Sequence, residues 1–210
     1  MQSDVWGNDL EKWFFDRDVV ELAERLIGTL LCFEGSGGII VETEAYRHDD
    51  EASHSFRGKT PRNYAMFGKM GTAYLYRSYG IHWCMNIVGR PGSAVLIRAI
   101  EPTVGIYRMY ERRGISDITL LCAGPGRLCE ALRLDGTLNE QSVTSPPFEL
   151  RIQDISKKVI KGKRVGISRA QDRIWRFGLS QSPYLSRPFV KSRSKKRVNR
   201  IEVVGDERGS

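Results

Sequence analysis

Apolar residues first recur at helical spacing: Val19, Val20, Ala23, Leu26 and Ile27 gather on one face of a helix. Asp18 precedes them as an N-cap, with Glu21 three residues on in capping-box position, and Gly28 follows as a C-terminal stop. The period then changes. Residues 29–33 and 39–46 are short apolar or alternating runs, and Glu34-Gly35-Ser36-Gly37-Gly38 between them is turn chemistry, which predicts a hairpin. Residues 48–70 are polar and contain Gly58, Pro61 and Gly68, which predicts a long loop, a feature usually functional in a compact domain. Residues 72–77 and 82–89 predict a second hairpin around Ser78-Tyr79-Gly80, and 94–100 a further strand. Gly124-Pro125-Gly126 opens a short helix that reaches Leu132. Residues 148–153, 164–168, 175–179 and 184–186 read as short strands. Strands in hairpins with few helices predict an α+β fold, a single domain with a curved, mostly antiparallel sheet and flanking helices.

At 210 residues the chain fits one domain, taken to span 1–186, followed by a basic segment, 187–210, whose last ten residues are expected to lack order. No apolar run is long enough to cross a bilayer. The acidic start lacks the apolar core of a signal peptide, so no membrane partner is expected. The cysteines, Cys32, Cys84, Cys122 and Cys129, have no CxxC spacing; they are expected to be reduced and mostly buried, and no metal site is expected. The acidic residues of the loop, Asp49, Asp50 and Glu51, read as solvated charge.

Charge changes the picture more by its placement than by its net value of +8. Residues 1–41 carry three basic and eight acidic side chains; residues 57–113 carry ten and two; residues 187–200 carry seven and none. Two basic segments predict a polyanionic partner, with nucleic acid the commonest one. For the tail, a solvated basic segment is an equal alternative.

Three groups of residues carry candidate chemistry. Alternation along Glu42-Thr43-Glu44-Ala45-Tyr46 sets Glu42, Glu44 and Tyr46 on one face of a strand. A carboxylate beside an aromatic can activate water, though a solvated strand glutamate has the same pattern. Tyr64, Phe67, Tyr74, Tyr76, Tyr79 and Trp83 lie among Arg57, Lys59, Arg62, Lys69 and Arg77. Tyr79 sits at the hairpin tip, where it can wedge into a base stack, and aromatics also stack on extruded bases. Tyr74 fits a core position better. His54, Asn86 and Arg98 are polar groups in a loop or inside apolar runs. A buried Arg98 needs a carboxylate, which Glu42 or Glu44 can supply, either as a structural pair or as part of a site.

Taken in order, these segments resemble the alkyladenine (3-methyladenine) DNA glycosylase family, of the type without a helix-hairpin-helix. The resemblance covers about residues 18–186. It rests on Ile40-Val41-Glu42-Thr43-Glu44-Ala45-Tyr46, Ser53-His54-Ser55, Thr60-Pro61-Arg62-Asn63, Tyr74-Leu75-Tyr76-Arg77-Ser78-Tyr79-Gly80, Cys84-Met85-Asn86, Leu96-Ile97-Arg98-Ala99-Ile100-Glu101-Pro102, Gly124-Pro125-Gly126-Arg127-Leu128-Cys129, Arg164-Val165-Gly166-Ile167 and Trp175-Arg176-Phe177. The resemblance implies a single-domain enzyme that flips alkylated purines from duplex DNA and hydrolyses the glycosidic bond without metal or organic cofactor. It implies Glu44 as the base that activates water, with Arg98 and the carbonyl of Val165 holding that water. It further implies Tyr46, His54 and Tyr76 around the flipped base, Asn86 against the amino group of normal guanine, and Tyr79 on a protruding hairpin that intercalates. Arg62, Lys69 and Arg77 are the expected contacts to the DNA backbone. A monomer in a bacterial cytoplasm, at the nucleoid, is expected, or the nucleus in a eukaryote. The alternatives are a non-catalytic nucleic-acid-binding module on the same fold, or a hydrolase of free nucleosides.

Overall fold

The computed structural model describes residues 8–152 and 158–189. The basic segment from residue 190 onward, with the expectation about its last ten residues, lies outside them. Among the described residues no helix is long and apolar enough to cross a membrane.

Two helices lead in, α1 (Asn8–Phe15) and α2 (Val19–Leu26). Asp18 caps α2 by accepting the Val20 N–H at 2.8 Å. Glu21 does not complete a capping box; it lies between Arg17 and Arg25, one helical turn to either side, and pairs with both. Val19, Leu22, Ala23 and Leu26 are buried, so the helix docks by the face its spacing marked.

The sheet runs in the order β3-β4-β5-β2-β1-β6, from β1 (Leu30–Phe33), β2 (Ser36–Tyr46), β3 (Ala73–Ser78), β4 (His82–Val88), β5 (Ala94–Val104) and β6 (Phe148–Arg151). Its pairings are antiparallel. β7 (Val159–Gly162) pairs with β8 (Arg176–Leu179), and β8 joins the far half of β2. Strand β2 therefore serves two neighbours on one side, β1 near its start and β8 near its end. Register shifts between Ile40 and Glu42 and between Glu42 and Thr43 are bulges that bend the strand where the two carboxylates stand.

The first hairpin turns on two residues, Glu34 and Gly35, both at positive φ, rather than on five. Gly37 and Gly38 belong to β2: a Cβ on Gly38 would lie 1.9 Å from the Glu101 carbonyl oxygen. Helix α5 (Pro125–Leu132) starts with Pro125 just inside it, as expected, and buries Leu128, Cys129, Ala131 and Leu132. Helices α3 (Ile106–Arg113) and α4 (Ile118–Leu121) were not expected; α3 buries only Met109, so its sequence carries little periodic signal. All four cysteines are free and buried.

Two expected strands are absent. Residues 164–168 form a loop, because Gly166 takes a positive φ and Arg164 and Val165 bond to the end of β2 instead of to a ladder. Residues 184–186 are irregular because the Ser186 N–H is spent on the Glu42 carboxylate.

Candidate active site

One face of β2 and β5 carries charge where its reverse carries the core. Thr43 sends its hydroxyl to the Ala23 carbonyl in α2, at 2.7 Å, so its neighbours Glu42 and Glu44 point the other way. Both glutamates are fully buried. Arg98 from β5 lies between them, with Nε 3.1 Å from Glu42 Oε1 and Nη1 3.3 Å from Glu44 Oε2. It is thus an ion-pair partner to both carboxylates.

Their remaining partners differ. Glu42 also accepts Arg176 Nε at 2.7 Å, the Ser186 hydroxyl at 2.8 Å and the Ser186 N–H at 2.5 Å. Glu44 accepts the Val165 N–H at 2.7 Å and the Tyr46 hydroxyl at 2.8 Å. A carboxylate accepts about four hydrogen bonds. Glu42 takes four from the described residues and is saturated; Glu44 takes two, with Arg98 beside it as an ion-pair partner. Burial pushes the Glu44 carboxyl above its usual range, against the pull of Arg98, the Val165 amide and the Tyr46 hydroxyl. The structure brings the Val165 N–H to Glu44; the resemblance gave the Val165 carbonyl a different partner, the attacking water.

All three partners of Glu44 line a cavity of about 1580 Å³, with Glu44 just behind them. His54, Tyr76 and Asn86 line it too. His54 and Tyr76 meet edge to face, 4.4 Å between centroids, and His54 Nδ1 is 2.9 Å from the Tyr74 hydroxyl. Desolvation lowers the His54 pKa, which favours the neutral ring. Tyr74 is buried in a small cluster with Ala65, Met66, Val88 and Ala94 that floors the cavity, as its core assignment requires. Tyr76 stands opposite Cys84 on the neighbouring strand. Asn86 is fixed by its amide, which donates to the Tyr74 carbonyl at 3.0 Å.

The loop that presents His54 is held from within. Buried Asn63 accepts the Thr60 N–H at 2.6 Å and donates to the carbonyls of His54 and Gly58, which accounts for the Thr60-Pro61-Arg62-Asn63 motif. The Ser55 hydroxyl donates to the Gly92 carbonyl at 2.6 Å.

Tyr79 and Ile81 stand at the tip of the β3–β4 hairpin, 88% and 66% exposed, and Tyr79 takes a positive φ of 52°. Arg77, exposed, stacks over Trp83 at 5.4 Å, which holds it at the cavity rim beside Arg57, Arg62 and Arg169. Lys69, the third expected backbone contact, is exposed but does not line this cavity.

Sequence reasoning missed three members of the surrounding network. Arg176 interrupts an apolar strand, the same signal that exposed Arg98. Asp50 is not solvated: it is fully buried against Arg164, 114 residues away, a distance at which spacing carries no information. Ser186 gave no signal. Among the described residues, no three His, Cys, Asp or Glu side chains come together as a metal centre would need.

Comparison with known proteins decides the family. The family described as Methylpurine-DNA glycosylase (MPG) matches residues 13–183. This chain belongs to the methylpurine-DNA glycosylase family. Two similar bacterial proteins share the name "Putative 3-methyladenine DNA glycosylase". The one from Nitrosospira multiformis is 56% identical over 178 residues, 83% of this chain and 92% of its own length. The one from Agrobacterium fabrum is 53% identical over 176 residues, 84% and 91%. The matched span contains both carboxylates, the cavity and the exposed hairpin.

Proposed function

We propose that this protein releases alkylated purines, such as 3-methyladenine, from duplex DNA by hydrolysis, with Glu44 as the base that activates water. The reaction class, a DNA glycosylase of base excision repair, follows from the family. The observation that carries the mechanism is the unequal bonding of two adjacent carboxylates. Glu42 is saturated away from the cavity; Glu44 keeps acceptor capacity, and its two donors and its ion-pair partner form the cavity wall. A carboxylate whose pKa is raised by burial is a stronger base toward water.

In this reading the damaged nucleotide is turned out of the duplex, at a cost reduced by its weakened pairing. Tyr79 takes its place in the stack. Tyr46, His54 and Tyr76 surround the base. An alkylated purine is cationic, so it stacks well on electron-rich rings and leaves readily. Desolvation of His54 disfavours a positive charge there that would oppose it. Arg98 and Val165 hold the water, by guanidinium and main chain, and ionised Glu44 takes its proton and steadies the positive sugar that forms. Asn86, held rigid by the strand, crowds the amino group of normal guanine. No lysine lines the cavity among the described residues, which fits hydrolysis without a strand-cleaving step. Arg62 and Arg77 contact phosphates. The protein acts as a monomer, with no membrane partner, at the nucleoid of a bacterial cytoplasm.

The test is base release from methylated duplex DNA by the wild type and Glu44→Gln. The wild type should free 3-methyladenine and leave an uncleaved abasic site, while Glu44→Gln binds the duplex and releases almost nothing. Binding by the wild type without release would leave a nucleic-acid-binding module instead.

A further inference from the structure

Behind the slot lies an ion pair that the reaction as described does not use. Asp50 and Arg164 are both fully buried. An apolar pair of the same volume is often no less stable than a buried ion pair, so stability alone is a weak reason to keep one. Its geometry supplies a better one. Arg164 grips Asp50 with both prongs: Nη2 is 3.0 Å from Oδ1, and Nη1 bonds Oδ2. Nη1 also donates to the Ala45 carbonyl at 2.9 Å, at the end of β2, and Nη2 to the Ala170 carbonyl at 3.4 Å. The guanidinium lies 4.7 Å from the centroid of the Tyr46 ring and 5.3 Å from that of Trp175.

One planar group thus ties together the end of β2, the loop that bears His54, the 164–170 loop and the residue before β8. Three cavity groups hang from it. Tyr46 has the guanidinium on its ring. Val165, whose amide holds Glu44, is the next residue in the chain. His54 follows a turn in which the Asp50 carbonyl accepts the Ser53 N–H at 2.8 Å.

We propose that Arg164, locked by Asp50, is a positioning residue of the excision site: it sets the Tyr46 wall of the base slot and holds the Val165 amide on the Glu44 carboxylate. The proposal rests on the reading of this cavity as the excision site. Asp50 has a second effect, since it cancels the charge behind Tyr46 and leaves the ring's front face free for a cationic base.

The aim of Glu44 can be read from pH. Glu44 faces Arg98 from β5, Glu42 and Tyr46 from its own strand, Tyr76 from β3 and Cys84 from β4. The Val165 amide works against burial and lowers its pKa. Loss of that hydrogen bond raises the pKa further, so the rise of rate with pH moves to higher pH. A residue needed only for folding would lower the folded fraction and leave the profile in place.

The experiment is single-turnover release of 3-methyladenine across pH by the wild type, Arg164→Lys and the paired variant Asp50→Leu/Arg164→Met, with thermal melting and duplex affinity measured alongside. The paired variant removes both charges at once, which spares the fold an orphaned ion. Its rate should fall about 100-fold, as expected for a reacting group displaced by about 1 Å. Its profile should shift to higher pH and its affinity for undamaged duplex should not change. Arg164→Lys, which keeps charge but loses the planar fork, should fall between. A folded paired variant with wild-type rate and profile overturns the proposal. So does an unfolded paired variant beside an Arg164→Lys that is folded and fully active. If the wild type itself frees no base, the excision reading fails, and the positioning role falls with it.

Discussion

Two halves of one strand face show what burial of charge can be used for. At Glu42 the carboxylate collects donors from β5, β8 and the Ser186 segment, and those bonds tie the end of the described chain to the sheet. At Glu44, two residues on, the donors come from the cavity wall. The two side chains have the same chemistry and the same burial. They differ in what holds them, so one is expected to be structural and the other reactive.

The largest way to break this comparison is to remove the structural member. Glu42→Ala leaves Arg176 buried beside no carboxylate and should cost about 3–5 kcal/mol, read by urea unfolding. A loss near zero would mean that the Ser186 segment docks without it.

Tyr79→Ala comes next. It should lower release from duplex DNA about tenfold, because unstacking costs a few kcal/mol and the wedge offsets part of it. At 88% exposure it should leave stability within about 0.5 kcal/mol. Equal release from duplex and single-stranded DNA by the wild type would argue against a wedge.

A third prediction uses pH. The Glu44 pKa is raised on folding. Such a carboxyl favours the fold while protonated, and this contribution is lost as pH rises from the unfolded value through the folded one. Glu44→Gln has no such proton to lose. Its stability relative to the wild type should therefore improve as pH rises above about 4. A relative stability that falls as pH rises would mean that the ion pair with Arg98 outweighs burial at Glu44. The smallest effect is expected at the rim. Arg77→Ala should weaken binding to all duplexes alike and reduce the salt slope by about 0.9. Lys69→Ala, away from the cavity, should change the slope less.

Alternation made this face legible before the fold was known. It set Glu42, Glu44 and Tyr46 together, and Arg98 stood out because it interrupts an apolar run. Hairpin chemistry located Tyr79. What stayed hidden depends on distance or on weak pattern. Asp50 and Arg164 are far apart in sequence and lie in loops without periodicity. Residues 164–168 look extended, yet their polar groups are used by the site rather than by a ladder. Helix α3 buries only Met109 and is arginine-rich; the glycines at its two ends, Gly105 and Gly114, both left-handed, were the signal available.

The most direct test sets Glu42→Gln beside Glu44→Gln, each scored for single-turnover base release and for unfolding free energy. A crossed result is expected. Glu44→Gln should lose at least about 100-fold in rate while folding and binding duplex DNA, whereas Glu42→Gln should lose stability and keep its rate once folded. Equal losses of rate in the two variants, or an active Glu44→Gln, would contradict it.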